Sequence, residues 1–370
     1  MEYRTIEEWC EILDSQRIPI TAKNRIEGPY PYYGANGIQD YVNDYIFDDE
    51  LVLLAEDGGN FGSKDRPIAY RVSGKCWVNN HAHVLKPKNG LDVDYLCYSL
   101  MFYNTNGLVN GATRQKLTQS TMRTMKIPCL EINEQQEIVQ KIKKIESILN
   151  DLNGQLDLLD ELIKARFVEM FGDPIKNQKN WQIVKIRDIV TDVRYGTSKP
   201  AVEGGKYPYL RMNNLTVDGG LDLSDLKYID IPDNEIEKCV VRKGDILFNR
   251  TNSIDLIGKT AVFNLLDDMV IAGYIIRIRL NDQILPDVFS QYMNLEAMKK
   301  VLKGMAKGAV NQANINAQEL QSIKVYIPNM ELQKQYVEFK EEIDKSRSRI
   351  QKSLEASQEL FDSLMQEYFG

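Results

Sequence analysis

The sequence is poor in the residues that build metal and disulfide sites, with two histidines and five cysteines among 370 residues. The cysteines are odd in number and lack the C-x-x-C spacing of zinc and redox motifs, which favours reduced, buried thiols over a disulfide framework. His81 and His83 alternate along a strand-like segment, so their rings share one face of it. Because no acidic or cysteine ligand stands at a useful spacing, the pattern predicts a polar role for both rings and no metal.

Long apolar runs and catalytic motifs are also missing. No segment approaches the ~18 consecutive apolar residues of a membrane span, and no charged start followed by an apolar run opens the chain. The sequence contains no GxxxxGKS/T phosphate loop, no Asn/Asp-Pro-Pro-aromatic tetrapeptide of amino-methylation and no convincing set of nuclease carboxylates. These absences predict a cytoplasmic chain that contacts no membrane, is not itself an enzyme and binds no cofactor of its own.

What the sequence does contain is an internal repeat at a constant offset. Segment 161–172 recurs as 359–370 with Glu, Leu, Glu, Phe and Gly in identical places, and Gln135 recurs at the same offset as Gln333. A chain of this length exceeds one usual core, whereas two globules of ordinary domain size fit it. The repeat predicts a globule at 1–132, a helix at 133–172, a second globule at 173–330 and a second helix at 331–370.

The first of these helices carries the clearest local pattern. Asn133 is a suitable N-cap, and Gly172 followed by Pro174 ends the helix. Apolar residues recur between them at alternating spacings of four and three, which is typical of a coiled-coil helix. This unbroken a/d heptad stripe consists of Ile138, Ile142, Ile145, Leu149, Leu152, Leu156, Leu159 and Ile163.

The second helix has a more polar stripe. The heptad frame, carried over by the repeat, leaves four clearly apolar positions: Ile343, Ile350, Leu354 and Phe361. Such a helix is a poor partner for a copy of itself, whereas the apolar first helix can cover those side chains while Lys340 and Arg347 extend to water. We therefore expect the two helices to pack antiparallel within one molecule. The alternative is two unrelated amphipathic helices, each packed on its own globule.

Both globules mix strands with short helices. The residue patterns predict helices at 95–103 and 286–302 and strands at 51–55, 76–78, 245–248, 260–263 and 274–280. The predicted fold class is α/β (α+β). It comprises two mixed α/β globules, separated by a long antiparallel two-helix coiled coil, with an internal two-fold repeat.

Polar loops rich in Asn, Gln, Arg and Gly lie between these elements. Arginine can bond guanine through two hydrogen bonds, and Asn or Gln can bond adenine in the same way, so the loops are candidates for reading base edges in double-stranded DNA. The alternative is that Asn and Gly simply form turns. The candidate DNA-contacting residues are Tyr33, Asn36, Asn79, His81, Arg114, Gln115, Lys116, Arg211, Asn213, Asn249, Arg250, Asn252, Lys259, Asn311, Gln312 and Asn314.

The formal charge of −7 argues against a chain that holds DNA alone. Phosphate neutralisation supplies essentially all of the sequence-independent affinity for DNA, so a protein that works alone should be more basic. Most of the excess acidity belongs to the predicted helices, and the second globule is slightly basic. Either the chain does not bind DNA, or a partner makes many of the phosphate contacts.

One arrangement of motifs occurs twice and resembles a known family. After the first globule, 111–115 leads through Ile127-Pro128 to 134–139, and after the second, 308–312 leads through Ile327-Pro328 to 332–337. Two α/β globules, each followed by such a segment and a related long helix, resemble the specificity subunit of a type I restriction-modification system over the whole chain. One departure is the start, where 5–9 stands in place of the second globule's lead-in through 181–188.

The resemblance implies a function and a set of partners. Each globule would be a target-recognition domain that reads one half of a bipartite DNA site, and the paired helices would set the unread gap and dock two methyltransferase subunits. Restriction subunits would join this core, and S-adenosylmethionine, ATP and Mg²⁺ would be bound by the partner subunits. Two alternatives stay open: a DNA-targeting adaptor of another phage-defence or fused restriction-methylation system, and a coiled-coil scaffold with no role in DNA binding.

Overall fold

The computed structural model describes residues 2–111, 114–309 and 312–370 of the chain. The candidate residue Asn311 lies outside the described residues. The chain forms two compact units: unit 1 runs to Asn153 and includes Lys352–Gly370, and unit 2 is Gly154–Gln351. Each unit therefore joins one globule to parts of both long helices. In the described ranges, no helix is both long and apolar enough to cross a lipid bilayer.

The globule of unit 1 is built on a six-stranded sheet. Its order is β2-β7-β5-β6-β3-β4, and neighbours run antiparallel except for the parallel pair β3 and β6, while β1 and β8 form a separate antiparallel pair. The elements up to the first long helix are β1 (Glu2–Thr5), α1 (Ile6–Trp9), β2 (Cys10–Ile12), β3 (Tyr30–Gly34), β4 (Gly37–Val42), β5 (Phe47–Ala55), β6 (Ala69–Val78), β7 (Ala82–Pro87), α2 (Val93–Met101), α3 (Gln119–Thr124), β8 (Lys126–Cys129) and α4 (Ile132–Phe171).

Strand β5 lies inside this sheet and is apolar on both faces. Leu51 and Leu53 belong to one buried cluster, whereas Val52 and Leu54 belong to another that also contains residues of helix α2. Successive side chains of a strand point to opposite faces, so a strand that is covered on both sides needs a continuous apolar run. The structure confirms the strand predicted at 51–55 and begins it earlier, at Phe47.

The globule of unit 2 contains several smaller sheets, in the orders β10-β18-β14-β16, β12-β11-β17-β13, β15-β20-β19 and β21-β9. Its elements, with the second long helix, are β9 (Gln182–Lys185), β10 (Val190–Tyr195), β11 (Tyr207–Leu210), β12 (Lys227–Ile229), α5 (Asp233–Cys239), β13 (Val240–Val241), β14 (Ile246–Asn249), β15 (Thr251–Asn252), β16 (Thr260–Val262), β17 (Met269–Ile271), β18 (Ile275–Leu280), α6 (Pro286–Asn294), α7 (Glu296–Met305), β19 (Lys307–Ala309), β20 (Gln312–Asn314), α8 (Ala317–Ser322), β21 (Lys324–Ile327) and α9 (Met330–Phe369).

The segment 286–302, predicted as one helix, is interrupted. Helix α6 ends at Asn294 and helix α7 begins at Glu296, because Leu295 between them has an extended backbone with φ −61° and ψ 143°. The side chain of Asn294 is bonded to the backbone of Thr260: its Nδ2 donates to the carbonyl at 2.6 Å and its Oδ1 accepts from the N–H at 3.2 Å. The prediction of a single helix was wrong because such a tertiary contact leaves no mark in the local sequence.

The two globules begin in the same way, despite the departure noted in the sequence. Strand β1 pairs with β8 in the register in which β9 pairs with β21, so Thr5 and Lys185 lie opposite Lys126 and Lys324. The residue after each first strand donates its main-chain N–H, at 2.9 Å, to the carbonyl of the residue before the partner strand. The chain start at 5–9 therefore occupies the place that the end of the lead-in occupies in the second globule.

A buried glutamine fixes each globule to the first turn of the long helix that follows it. Gln135 is fully buried: its Nε2 donates to the carbonyls of Gly90 and Leu130, both at 2.9 Å, and its Oε1 accepts from the N–H of Asp92 at 2.8 Å. Gln333 is also fully buried and makes the equivalent three bonds in unit 2, at 2.8 to 3.0 Å. The repeated glutamine is thus a structural link between globule and helix.

Replacement of this glutamine should destabilise its unit. Gln135→Ala leaves one N–H and two carbonyls without a partner in a buried place, which costs about 1–3 kcal/mol of the free energy of unfolding for each unsatisfied group. We expect a lower unfolding temperature in scanning calorimetry. Gln136→Ala is the matched control because Gln136 is exposed on the same turn. Equal stability of the two variants would contradict the role assigned to Gln135.

In unit 1 the start of helix α4 lies beside the end of helix α9. Three residues of the predicted heptad stripe, Ile138, Ile142 and Ile145, share one buried cluster with Phe361 and Met365. Because these two sets of residues come from the first and the last part of their helices, the helices run antiparallel here. The contact confirms the predicted direction of pairing.

Unit 2 shows the reverse contact, between the end of α4 and the start of α9. The rings of Phe167 and Phe171 lie 5.4 and 5.5 Å from the ring of Tyr336, and Arg166 lies over the ring of Phe339 at 5.8 Å. The pairing is again antiparallel. The remaining apolar positions of the two predicted stripes are buried or half-buried in their units, namely Leu149, Leu152, Leu156, Leu159, Ile163, Ile343, Ile350 and Leu354.

Lys340 and Arg347, the two polar positions of the second stripe that we expected to extend to water, form ion pairs instead. Lys340 Nζ lies 3.2 Å from Asp287 of the globule and 2.8 Å from Asp344, and Arg347 pairs with Asp160 of helix α4. Burial alone would lower the pKa of Lys340, but the two carboxylates outweigh burial and raise that pKa. Lys340 therefore joins helix α9 to the globule by an ion pair, and Arg347 joins it to helix α4.

The cysteines are free thiols, as predicted from their number and spacing. Cys129 is half-buried and the others are buried: Cys10, Cys76, Cys97 and Cys239. Burial raises the pKa of the Cys10 and Cys97 thiols to about 12. Thiols with so high a pKa are unreactive at neutral pH, which is typical of structural cysteines.

Candidate nucleic-acid interface

In unit 1 the predicted polar loops meet at one end of strand β5. We call the group Asn36, Asp57, His81, Arg114 and Lys116 the first polar cluster. Its members follow the end of β5, precede β7, lie in the turn between β3 and β4, or belong to the loop before α3. Backbone bridges join Lys116 to Asp57, just after β5, and to Asn110 within the same loop. Residues far apart in sequence are thus brought into one patch.

Asp57 is the centre of the first polar cluster. Its Oδ1 lies 2.8 Å from His81 Nδ1 and 2.5 Å from Arg114 Nη2. The Asn36 side chain donates to the carbonyl of Gly58 at 3.0 Å and so holds the neighbouring turn. The Arg114 side chain is 60% exposed, although Asp57 anchors one of its nitrogens. The remaining donors of its planar guanidinium can therefore face a ligand in solvent.

A buried charged network supports this cluster from below. Both ring nitrogens of the fully buried His83 have acceptors: Nδ1 lies 2.7 Å from Asp14 Oδ2, and Nε2 lies 2.9 Å from the carbonyl of Leu117. Gln119 also donates to Asp14, at 2.8 Å. Burial alone would raise the pKa of Asp14, but its hydrogen bonds, chiefly from His83, outweigh burial and lower that pKa. The network thereby fixes the loop that carries Arg114.

The same network contains three groups that a metal ion could use. Ligand atoms of Asp14, Glu56 and His83 lie within 4.8 Å of one another. Glu56, however, already pairs with Arg17 at 2.7 Å and with Lys116 at 3.0 Å. Arg17, Lys116 and the His83 ring therefore contact the carboxylates of Asp14 and Glu56, and these residues form an ion-pair network. No metal is needed to compensate its charge.

Unit 2 places a different set of residues in a corresponding patch. We call the group Tyr195, Arg250, Tyr274, Gln312 and Asn314 the second polar cluster. The Arg250 guanidinium lies 5.0 Å from the centre of the Tyr195 ring, and Asn314 Oδ1 accepts from Thr251 Oγ1 at 3.0 Å. Tyr195 and Tyr274 are 44% and 48% exposed. Neither tyrosine was among the residues predicted to contact DNA.

Main-chain hydrogen bonds show that the two clusters stand at equivalent places. The N–H of Glu56 donates to the carbonyl of His81 at 2.8 Å, and that of Arg250 donates to the carbonyl of Tyr274 at 2.9 Å. The carbonyls of Glu56 and Arg250 accept in turn from the loops that carry Arg114 and Gln312. Tyr274 therefore corresponds to His81, and each directly precedes a strand. That position was the signal that could have identified Tyr274.

Both loops also contain a glycine whose backbone conformation excludes other residues. Gly111 and Gly308 have φ angles of 103° and 114°, in the region that favours glycine. A Cβ at Gly111 would lie 2.4 Å from the carbonyl oxygen of Arg114, and one at Gly308 would lie 2.5 Å from that of Gln312. Such approaches exclude any side chain. Each of these loops therefore needs glycine at this position.

Three candidate residues lie beneath the surface. Asn79 Nδ2 donates to Gln39 Oε1 at 3.1 Å, Asn249 Nδ2 donates to the carbonyl of Thr251 at 3.1 Å, and Lys259 Nζ donates to the carbonyl of Met212 at 2.8 Å. Burial lowers the pKa of Lys259. These side chains are buried, and their polar atoms form hydrogen bonds inside the globule. In this conformation they support loops and do not face a ligand.

The remaining candidates outside the clusters are more exposed than these three. Tyr33 stacks on the ring of Tyr70 at 6.0 Å, and Arg211 pairs with Asp225 at 2.7 Å. Asn252 donates to the buried Asn249 side chain at 2.8 Å. Two further candidates are exposed without a side-chain role in the clusters, namely Gln115 and Asn213.

The repeated architecture and the matched clusters agree with a comparison to protein families. The family model for the type I restriction modification DNA specificity domain matches residues 1–159 and 178–358. The chain belongs to this type I specificity family. The match covers both globules and confirms the family resemblance seen in the sequence.

Named members of the specificity family are similar over most of the chain. A Haemophilus influenzae protein provisionally named a type I restriction enzyme specificity subunit is 27% identical over 91% of this chain and 86% of its own. The Escherichia coli EcoKI specificity subunit is 21% identical over 82% and 70%. The crystal structure of an M. genitalium S subunit covers 100% of this chain and 96% of its own at 15% identity with a TM-score of 0.59, so the fold is shared.

Proposed function

We propose that this chain is the sequence-specific DNA-binding specificity subunit of a type I restriction-modification complex, and that each globule reads one half of a bipartite site. The observation that carries the proposal is the pair of polar clusters, which stand at equivalent places on two copies of one scaffold. The globules at 1–132 and 173–330 are the target-recognition domains in this proposal, and the helices at 133–172 and 331–370 are the spacer.

The two clusters differ in their side chains, which supports the proposal that they read different half-sites. His81 in unit 1 corresponds to Tyr274 in unit 2, and Glu56 corresponds to Arg250. Base edges are distinguished by their pattern of donors, acceptors and methyl groups in the major groove. Two scaffolds of the same shape that present different donors and acceptors would therefore select different base sequences, as a bipartite site requires.

The net charge of −7 supports a role for partner subunits in holding the DNA backbone. A candidate docking surface lies on helix α4 in unit 2, where Leu158 and Leu162 are 64% and 45% exposed one turn apart. Neighbouring exposed apolar side chains are typical of interaction sites. We propose that the helices dock two methyltransferase subunits and set the unread gap, and that restriction subunits join the complex. S-adenosylmethionine, ATP and Mg²⁺ belong to these partners, and this chain contributes recognition without catalysis.

Arg114 offers a direct test of base reading by unit 1. If its free guanidinium donors contact a base edge, Arg114→Ala should cost about 1–3 kcal/mol of binding free energy at one half-site and leave the other half unaffected. The measurement is binding of the complete methyltransferase complex to duplexes that differ in one half-site at a time.

Arg123→Ala is the matched control for this experiment. Arg123 is another arginine of the same globule that is paired with a carboxylate, here that of Glu7 at 2.9 Å, but it lies on helix α3 outside the cluster. We expect no change in half-site preference for this variant. An equal loss for Arg114→Ala on all DNA sequences would reassign Arg114 to a phosphate contact.

A further inference from the structure

We propose that Arg250 reads a guanine in the half-site of unit 2 and that Tyr195 is the residue that orients it. The inference rests on the proposed function and adds to it the base that is read and a positioning residue. Three features of Arg250 support it. Among the described residues its charge has no ion-pair partner, its terminal guanidinium nitrogens make one long hydrogen bond, and its guanidinium lies on an aromatic ring.

Among the residues that the structure describes, the charge of Arg250 is uncompensated, because no carboxylate lies within ion-pairing distance of its guanidinium. Other arginines of the same globule do have such partners: Arg211 pairs with Asp225, Arg277 with Asp192 and Arg279 with Asp245. Uncompensated positive charge in a polar surface cluster favours contact with a ligand that presents acceptors.

The hydrogen-bonding capacity of Arg250 is also largely unused. Its Nη1 makes one long bond to the carbonyl of Gly273, at 3.4 Å, and among the described residues its buried Nε has no acceptor. A guanidinium has five N–H donors, and four of them belong to Nη1 and Nη2. Within the described part of the chain, the bond to Gly273 is the one hydrogen bond of these two nitrogens, so they can donate to a ligand that supplies acceptors.

The orientation of Arg250 is fixed before any ligand binds. Its guanidinium lies on the Tyr195 ring at 5.0 Å, and the Tyr195 hydroxyl is held in turn by the N–H of Ala317 at 2.8 Å. A planar fork held on an aromatic face loses little conformational freedom on binding. Tyr195 therefore acts through Arg250 as a positioning residue.

The ligand that fits such a fork in the major groove is guanine. Guanine presents two acceptors, N7 and O6, side by side, whereas adenine presents a donor at N6 next to its N7 and would oppose the second N–H of Arg250. In unit 1 the corresponding position is occupied by Glu56, which is paired with Arg17 and Lys116. The inference therefore concerns only the half-site of unit 2.

The test measures discrimination at single base pairs by the complete methyltransferase complex. Its binding site is first defined by methylome sequencing, and duplexes are then made with each guanine of either half-site replaced in turn. Arg250→Ala should lose about 5- to 150-fold in affinity for the cognate duplex and should no longer distinguish one guanine position of the unit 2 half-site. Arg250→Lys keeps the charge and should show the same loss of discrimination, because an ammonium group lacks the planar fork.

Variants of Tyr195 separate orientation from a general structural role. Tyr195→Phe keeps the ring beneath Arg250 and should retain discrimination at that guanine, whereas Tyr195→Leu removes the ring and should reduce it. Discrimination in the half-site of unit 1 should stay unchanged in every variant, which serves as the control for correct folding and assembly.

Two results would overturn the inference while leaving the proposed function intact. Equal loss by Arg250→Ala on all duplexes would show a phosphate contact, and unchanged discrimination by Arg250→Lys would show that no bidentate reading occurs. Failure of the proposed function looks different, because the wild-type complex would then have no bipartite site in which to measure any discrimination.

Discussion

The purified chain is expected to bind DNA at least ~100-fold more weakly than the same chain assembled with two methyltransferase subunits. Non-specific binding at physiological salt has dissociation constants of about 10⁻⁴ to 10⁻⁶ M, whereas specific complexes reach about 10⁻⁸ to 10⁻¹¹ M. The chain carries a net charge of −7, and Asp57 and Glu56 neutralise the cations of the first polar cluster. Fluorescence anisotropy with one labelled duplex compares the two forms directly.

Salt dependence provides the control for that comparison. Each phosphate neutralised by a Lys or Arg steepens the fall of affinity with salt concentration. The assembled complex should therefore show the steeper slope, because the partners add phosphate contacts. Nanomolar, sequence-specific binding by the isolated chain at physiological salt would contradict the proposal that partner subunits make many of the contacts with the DNA phosphates.

Insertion of one heptad into both long helices should widen the unread gap of the DNA site by roughly two to three base pairs. Seven helical residues add ~10 Å, and B-form DNA rises ~3.4 Å per base pair. Insertions after Asn153 and after Gln351, at the boundary between the two units, leave every contact within each unit in place. A heptad also returns the apolar stripe to nearly the same face of each helix. Methylome sequencing reads the new spacing.

The control for the insertion experiment is a heptad added to helix α4 alone. The helices pair antiparallel within each unit, so lengthening one of them shifts its stripe against an unchanged partner, and we expect loss of activity. An active enzyme with both insertions that still methylates the original spacing would show that the helices do not set the gap.

The repeat and the heptad stripe made much of the fold predictable from the sequence. Both depend on side chains at regular spacing, such as the run from Ile138 to Ile163, and period alone determines which face of a helix is apolar. The buried glutamines were visible as a repeated residue, but not as a link between globule and helix. Their role depends on carbonyls that lie 45 and 50 residues earlier in the chain, those of Gly90 and Gln283.

The candidate site was less predictable because exposure depends on tertiary packing. Asn249 and Arg250 are adjacent in sequence, yet Asn249 is fully buried and Arg250 lies on an exposed tyrosine. Adjacent residues at the end of a strand point to opposite sides, and composition does not tell which side is covered. Tyr195 is far from the polar loops in sequence, so only the pairing of β10 with β18 brings it to the cluster.

Methylome sequencing of a host that carries the complete system, with and without this chain, tests whether the two globules read two half-sites. We predict methylation at a bipartite motif, with two defined half-sites around a gap of unread bases, and loss of that methylation when the chain is deleted. A continuous motif, or the same methylation in the absence of the chain, would contradict the assignment of the two globules to two half-sites.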